Sequence, residues 1–364
     1  MKIMKRKVME KNNVIIAGIY SEFIDESFYE LESLCKTLSW NVIDRVFQKR
    51  KKPDARFYFG RGFLEKFNLL FESGNIDYLI INDDLTIIQR RNIERTIENK
   101  VYDRTELILE IFAKHAKTKE GKLQVEIARL KYLMSYLVGK GKELSRLGGG
   151  IGTRGPGETK LEYTKRYLKK RVSFLEKELY EIRKNRDVQR KKRIKSNLIK
   201  ISIVGYTNAG KTTLLSALSK DLLYSKNEMF STVSPITRRV RLPSGAYVLF
   251  SDTVGFIKKL HPLIVEAFHS TLEEIVYSDL ILILVDASDI NFKDKIKVIF
   301  ETLEELGIKD KKMILVFNKI DLCNLDYLKK LKGEYKKAIF ISARKKINLD
   351  LLLYEIDRIN FKEV

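Results

Sequence analysis

The residues with the plainest chemical purpose form the run Gly205-Tyr206-Thr207-Asn208-Ala209-Gly210-Lys211-Thr212. Glycine at its first and sixth positions, followed by Lys and Thr, is the spacing of a phosphate loop. There backbone N–H groups turn inward around the phosphates of a nucleoside triphosphate, at the positive end of a helix. Lys211 would set a point charge against the β- and γ-phosphates, and the Thr212 hydroxyl would ligate Mg²⁺. Such a loop is silent about the base. The base is addressed by a second run, Asn318-Lys319-Ile320-Asp321. A carboxylate at Asp321 can accept hydrogen bonds from both N1–H and the exocyclic amino group of guanine. Adenine has a bare N1 and no amino group at C2, so the same carboxylate would face it unpaired. Asn318 would brace the loop, the Lys319 stem would cover one face of the ring, and Ser342-Ala343-Arg344 would complete the pocket through backbone amides.

Between these runs lie two segments suited to sensing the γ-phosphate. In Asp252-Thr253-Val254-Gly255, Asp252 can hold Mg²⁺ through water and the Gly255 N–H can bond the γ-phosphate. Upstream, Phe230-Ser231-Thr232-Val233-Ser234 continues through Thr237 to Arg239 as a stretch able to close over the nucleotide. Either Thr232 or Thr237 can supply the second hydroxyl to Mg²⁺. A segment held only while the γ-phosphate is present is an order–disorder switch. Lys211, Thr232 and Gly255 are the residues expected to bear on hydrolysis.

These side chains need strands to hold them. Ile199–Val204, Val248–Ser251, Leu280–Val285, Met313–Phe317 and Ala338–Ile341 are short continuous apolar runs, as in strands buried on both faces of a parallel sheet. Arg239–Leu242 and Ala246–Phe250 flank Pro243-Ser-Gly245 as a hairpin. Helices are expected over Thr212–Ser219, Ala267–Tyr277, Lys293–Leu306 and Leu349–Ile356. Toward the N-terminus, strands at Val14–Ile19, Val42–Phe47, Phe57–Gly60 and Tyr78–Asn82 alternate with helices at Phe63–Phe71, Ile87–Ile97 and Thr105–Ala116, with no nucleotide fingerprint. The middle differs. Leu123, Ile127, Leu130, Met134 and Leu137, and then Leu161, Leu168, Val172, Leu175, Leu179 and Ile182, repeat at spacings of three, four and seven. Two such stripes describe an antiparallel helical hairpin. The glycine-rich break at 148–160, with Arg154 near its centre, separates them. The fold class is therefore α/β: residues 199–364 as a phosphate-loop domain with a mostly parallel sheet and helices on both faces, residues 1–116 as an α/β domain, and residues 117–198 as the hairpin.

The net charge of +22 is unevenly placed. Residues 101–200 hold 27 Lys and Arg against 12 Asp and Glu, whereas residues 1–100 hold 18 against 15. A chain made basic by composition alone would spread the excess, so a polyanion partner, RNA, is the expectation. Arg183, Lys184, Arg186, Arg190, Lys191, Lys192, Arg193 and Lys195 are the densest part. Two distant cysteines, Cys35 and Cys323, argue against a disulfide scaffold or zinc site. The longest apolar run, Leu280–Val285, is far below the ~20 residues needed to span a bilayer. The sequence thus points to a monomer in the cytoplasm without a membrane anchor.

In this order the motifs resemble those of translation-factor-related GTPases. With Gly148-GGIGTRGPGETKL-Glu162, Gly121-KLQVEIARLK-Tyr132 and Asp103-RTELI-Leu109, the chain more closely resembles the HflX family of ribosome-associated GTPases over roughly residues 55–345. That resemblance implies GTP hydrolysis with Mg²⁺ on Thr212 and Thr232, so it favours Thr232 over Thr237. It also implies binding to the large ribosomal subunit and its RNA, with ribosome splitting or rescue in some relatives, and K⁺ at Asn208 as in potassium-activated relatives. Two departures stand out. The chain ends at residue 364, where many relatives carry a further C-terminal domain. Arg344 stands where Lys is more usual. Beyond the family pattern, Phe256 stands after Gly255, where many GTPases place a water-orienting Gln, so intrinsic hydrolysis should be slow. Two rival classes are an ATP-using phosphate-loop enzyme, opposed by Asn318–Asp321, and a non-catalytic RNA-binding protein, opposed by an intact Lys211, Asp252 and Asp321.

Overall fold

The computed structural model describes residues 12–23, 26–73, 75–147, 156–194, 198–219, 229–233, 235–308 and 310–359. By their contacts the residues divide into two compact units, Met1–Lys114 with Arg129–Arg171, and His115–Ala128 with Val172–Val364.

The first unit is built on β1 (Asn13–Tyr20), α1 (Glu26–Thr37), β2 (Asn41–Lys49), α2 (Arg61–Ser73), β3 (Tyr78–Ile81), α3 (Ile87–Ile97), β4 (Lys100–Asp103) and α4 (Arg104–His115). The strands pair in parallel in the order β2-β1-β3-β4. Ile15, Ala17, Leu79 and Ile81 pack with Leu64 and Phe67 of α2 and Ile93 of α3 in one apolar core. The strand expected at Phe57–Gly60 does not form. The Asp54 carboxylate accepts the N–H groups of Arg56 and Phe57, and Tyr58 is left-handed at φ 64°. That local turn competes with extension. The place of a fourth strand is taken by β4, whose Asp103 is buried and accepts hydrogen bonds from the hydroxyls of Tyr132 and Tyr136.

Two long helices follow, α5 (Lys119–Leu147) and α6 (Pro156–Ile194). Residues 156–160, expected in the glycine-rich break, are helical instead, with Pro156 in the first turn, where a missing N–H costs nothing. Residues 148–155, including Arg154, lie outside the described residues, as do the side chains of Leu161 and Arg190–Arg193. Leu123, Ile127, Leu168, Val172, Leu175 and Leu179 are buried as the stripes require, while Leu130, Met134, Leu137 and Ile182 are half-buried. On α5 the burial shifts to Tyr132, because it reaches Asp103.

The second unit holds β5 (Lys200–Gly205), α7 (Lys211–Ser219), β6 (Ile236–Arg241), β7 (Tyr247–Asp252), α8 (Pro262–Val276), β8 (Leu280–Asp286), α9 (Phe292–Glu305), β9 (Lys312–Asn318), α10 (Leu325–Glu334), β10 (Ile339–Phe340) and α11 (Leu349–Asp357). Its sheet runs β10-β9-β8-β5-β7-β6, parallel except for the β6–β7 hairpin. Ile201 and Ile203 share a core with Leu214 and Leu215 of α7 and with Leu352 and Ile356 of α11. Helices α8 and α9 also meet β5, and they bury Ile275, Ile299 and Leu303 outside that core. The parallel strands β5, β7 and β9 end at Gly205, Asp252 and Asn318. All three motifs therefore emerge at the carboxyl edge of one sheet, where open α/β folds bind ligands.

Candidate functional site

Close packing dictates the shape of the phosphate loop. A Cβ on Gly205 would lie 2.4 Å from the Leu284 carbonyl oxygen. One on Gly210, at φ 95°, would lie 2.4 Å from Asn318 Nδ2. That amide instead donates to the Ala209 carbonyl at 2.8 Å, while its Oδ1 accepts the Ala343 N–H at 2.9 Å. One side chain thus ties the loop to both base-side segments. Asn208 is left-handed (φ 63°) and exposed. Lys211 Nζ donates to the carbonyls of Gly205 and Tyr206 at 3.1 and 3.0 Å. Burial pushes its ammonium down to about 8, a shift that nearby Asp252 opposes.

Three oxygens converge beside it. Thr212 Oγ1 and Thr232 Oγ1 are 3.0 Å apart, and each donates to Asp252 Oδ2 at 2.7 Å. Asp252 is fully buried, which raises its carboxyl pKa, against the lowering pull of Lys211 and the two threonines. Its Oδ1 is buried without a hydrogen-bond partner. Two hydroxyls and an under-satisfied carboxylate are an all-oxygen donor set that fits Mg²⁺. Thr237 is elsewhere: it sits in β6, with its hydroxyl 2.9 Å from Ser251 Oγ.

A cavity of about 440 Å³ opens over these groups. From the loop, Thr207, Asn208, Gly210, Lys211 and Thr212 line it; Gly205, Tyr206 and Ala209 do not. Phe230, Ser231 and Thr232 form a second wall, while Val233 is buried outside it and Ser234 lies outside the described residues. Thr253 and Gly255 line a third, with Asp252 and Val254 behind. A Cβ on Gly255 would lie 2.9 Å from Thr207 Cγ2 and 3.0 Å from Thr207 Cα, so a side chain here would press on the phosphate loop. At the base end Asn318, Lys319, Asp321, Ser342 and Arg344 line the cavity, whereas Ile320 and Ala343 do not. The Lys319 ammonium, at the end of the stem expected over the base, is held 2.6 Å from Asp286 Oδ2.

Two contacts escape sequence reasoning. His115 Nδ1 lies 2.8 Å from the Phe230 carbonyl oxygen, and the Tyr206 hydroxyl accepts the Lys258 N–H at 2.7 Å. No spacing rule signals either.

Three family models match the chain: a GTP-binding GTPase N-terminal region over residues 25–113, a GTP-binding GTPase middle region over 115–193, and a 50S ribosome-binding GTPase over 200–319. Among curated proteins, the GTPase HflX of Caldanaerobacter subterraneus is 45% identical over 361 residues, 99% of this chain and 83% of the relative. The chain belongs to the HflX GTPase family. The Escherichia coli HflX is 37% identical over 82% of the chain and 70% of its own length. A crystal structure of SsGBP in complex with GDP superposes with a TM-score of 0.51 at 31% identity, covering 95% of this chain and 98% of that one. As an HflX GTPase the chain binds GTP and hydrolyses it to GDP and phosphate, which sets aside the ATP-using and non-catalytic readings. Among the described residues no helix is long and apolar enough to cross a membrane. No cluster of three His, Cys, Asp or Glu among them offers an alternative metal site.

Proposed function

We propose that this HflX GTPase is a cytoplasmic monomer that works on the large ribosomal subunit, in splitting, rescue or biogenesis, with its three sequence segments dividing the labour. Residues 199–364 bind and hydrolyse GTP; residues 117–198 grip ribosomal RNA; residues 1–116 form an accessory α/β domain. The observation that supports RNA docking most directly is the charge placement, 27 Lys and Arg against 12 Asp and Glu over residues 101–200. The description of the matching family model as a 50S ribosome-binding GTPase agrees with it.

In the nucleotide site, the Thr212 and Thr232 hydroxyls, with the Asp252 carboxylate behind them, would hold Mg²⁺, which would supply positive charge against the β- and γ-phosphates. Lys211 holds the phosphates, the Gly255 N–H meets the γ-phosphate, and Asp321 reads guanine with Asn318 as brace. Phe256 is buried, so no side chain follows Gly255 into the cavity to orient water, and unaided turnover is slow. Asn208, exposed and lining the cavity, would admit K⁺ beside the phosphates. Loss of the γ-phosphate frees Thr232 and Gly255, and the RNA grip loosens.

The test is sedimentation with ribosomes in a non-hydrolysable GTP analogue and in GDP. The protein should pellet with the large subunit in the analogue and remain in the supernatant in GDP. Replacing Arg190, Lys191, Lys192 and Arg193 with Gln should lower ribosome affinity about tenfold or more at moderate salt and flatten its salt dependence, with GTP affinity unchanged. Ribosome binding that survives the change while GTP affinity collapses would refute the division of labour.

A further inference from the structure

A phosphate loop asks nothing of the side chain at its second position, because the cradle is made of backbone. Tyr206 occupies that position, yet it is only 4% exposed and makes contacts unrelated to phosphate. Its hydroxyl accepts the N–H of Lys258, 52 residues away, at 2.7 Å. Around that bond the loop and the segment after Gly255 are stitched by backbone. The Thr207 N–H donates to the Phe256 carbonyl at 2.8 Å, and the Phe256 N–H donates to the Gly205 carbonyl at 3.2 Å. The Lys295 ammonium lies 5.0 Å from the centre of the Tyr206 ring and is itself held by Asp289, so the ring is clamped from the α9 side. The carbonyl of the same residue accepts from Lys211 Nζ.

We propose that Tyr206 is a positioning residue for GTP hydrolysis: its hydroxyl anchors the Lys258 amide and so fixes the backbone of Gly255 and Phe256 against the phosphate loop. The argument rests on the GTPase assignment and is independent of ribosome docking. Where a glutamine orients the attacking water, modest slack in the following backbone can be absorbed by a flexible side chain. Here Phe256 is buried at 3% exposure and does not line the cavity. What this segment presents to the γ-phosphate and water is therefore its backbone, and backbone placement decides the rate. Gly255 already packs against Thr207 and Lys211 at the limit of contact, so the segment is fixed at one end by packing and at the other by the Tyr206 hydroxyl.

The test is Tyr206→Phe in the full chain, which deletes one oxygen and keeps the ring and its cation contact. Leaving the Lys258 N–H without its partner should lower single-turnover kcat for GTP by about five- to fiftyfold, with KM for GTP and Kd for GDP within about twofold of wild type. GDP binding does not need the segment after Gly255, so normal GDP affinity also certifies an intact fold. Amide hydrogen exchange should speed up at 256–260 and not in α7. An unchanged kcat would overturn the proposal. So would a kcat loss matched by an equal loss of GDP affinity, since that pattern marks a distorted loop and a merely structural tyrosine.

Discussion

Lys211→Ala should reduce GTP and GDP affinity by about thirtyfold to a few thousandfold, measured by fluorescent-nucleotide titration. Its ammonium is buried and donates to two backbone carbonyls of the same loop. Phosphates entering that site would lose their buried counter-charge, and truncating one member of such a pair costs about 2–5 kcal/mol. The same burial makes the intact site pH-sensitive. With the ammonium pushed down to about 8 in the free protein, bound phosphate must raise it again. Above that pH the free site is neutral and binding must take up a proton. Affinity should therefore be level below about pH 8 and weaken above it by up to about tenfold per pH unit. Lys211→Ala should abolish this slope.

Asp321→Asn should exchange the base preference. The carboxylate offers two acceptors to guanine N1–H and its exocyclic amino group. An amide offers one acceptor and a donor, and the donor would confront a guanine donor in a loop braced by Asn318. A site built to hydrogen-bond its ligand rejects a mismatched one strongly, so GTP affinity should fall by about a thousandfold. Xanthine has N1–H and a carbonyl at C2, and it matches the amide. Xanthosine triphosphate should bind the variant better than GTP does. A variant that retains GTP affinity would remove Asp321 from the reading of the base.

The residues that line the cavity were legible because the chemistry expected of them constrains type and spacing at once. Gly205 and Gly210 are glycines because a Cβ would strike Leu284 or Asn318, and a strand must precede them and a helix follow. Strands β8 and β9 showed as unbroken apolar runs because they lie inside the sheet, with neighbours on both sides. Local competition was harder to read. Phe57–Gly60 has the composition of a strand, but the Asp54 turn claims it. Strand β4 is four residues with charged ends and gives no periodic signal. Nor are α1 and α10 among the helices expected from the sequence. Thr232 and Thr237 are equivalent as hydroxyls in the sequence; only the pairing of β6 with β7 takes Thr237 away from Asp252. Contacts such as Tyr206 to Lys258 and His115 to Phe230 join residues 52 and 115 positions apart. They depend on the tertiary fold, and no local pattern encodes them.

Calorimetric titration of the full chain with GTP and with ATP, each with Mg²⁺, reaches the purine-reading carboxylate without any substitution. Tight uptake of GTP with ATP weaker by about a hundredfold or more is the outcome expected from an acceptor pair that matches guanine alone. Equal heats and equal affinities for the two would mean that Asp321 does not select the nucleotide.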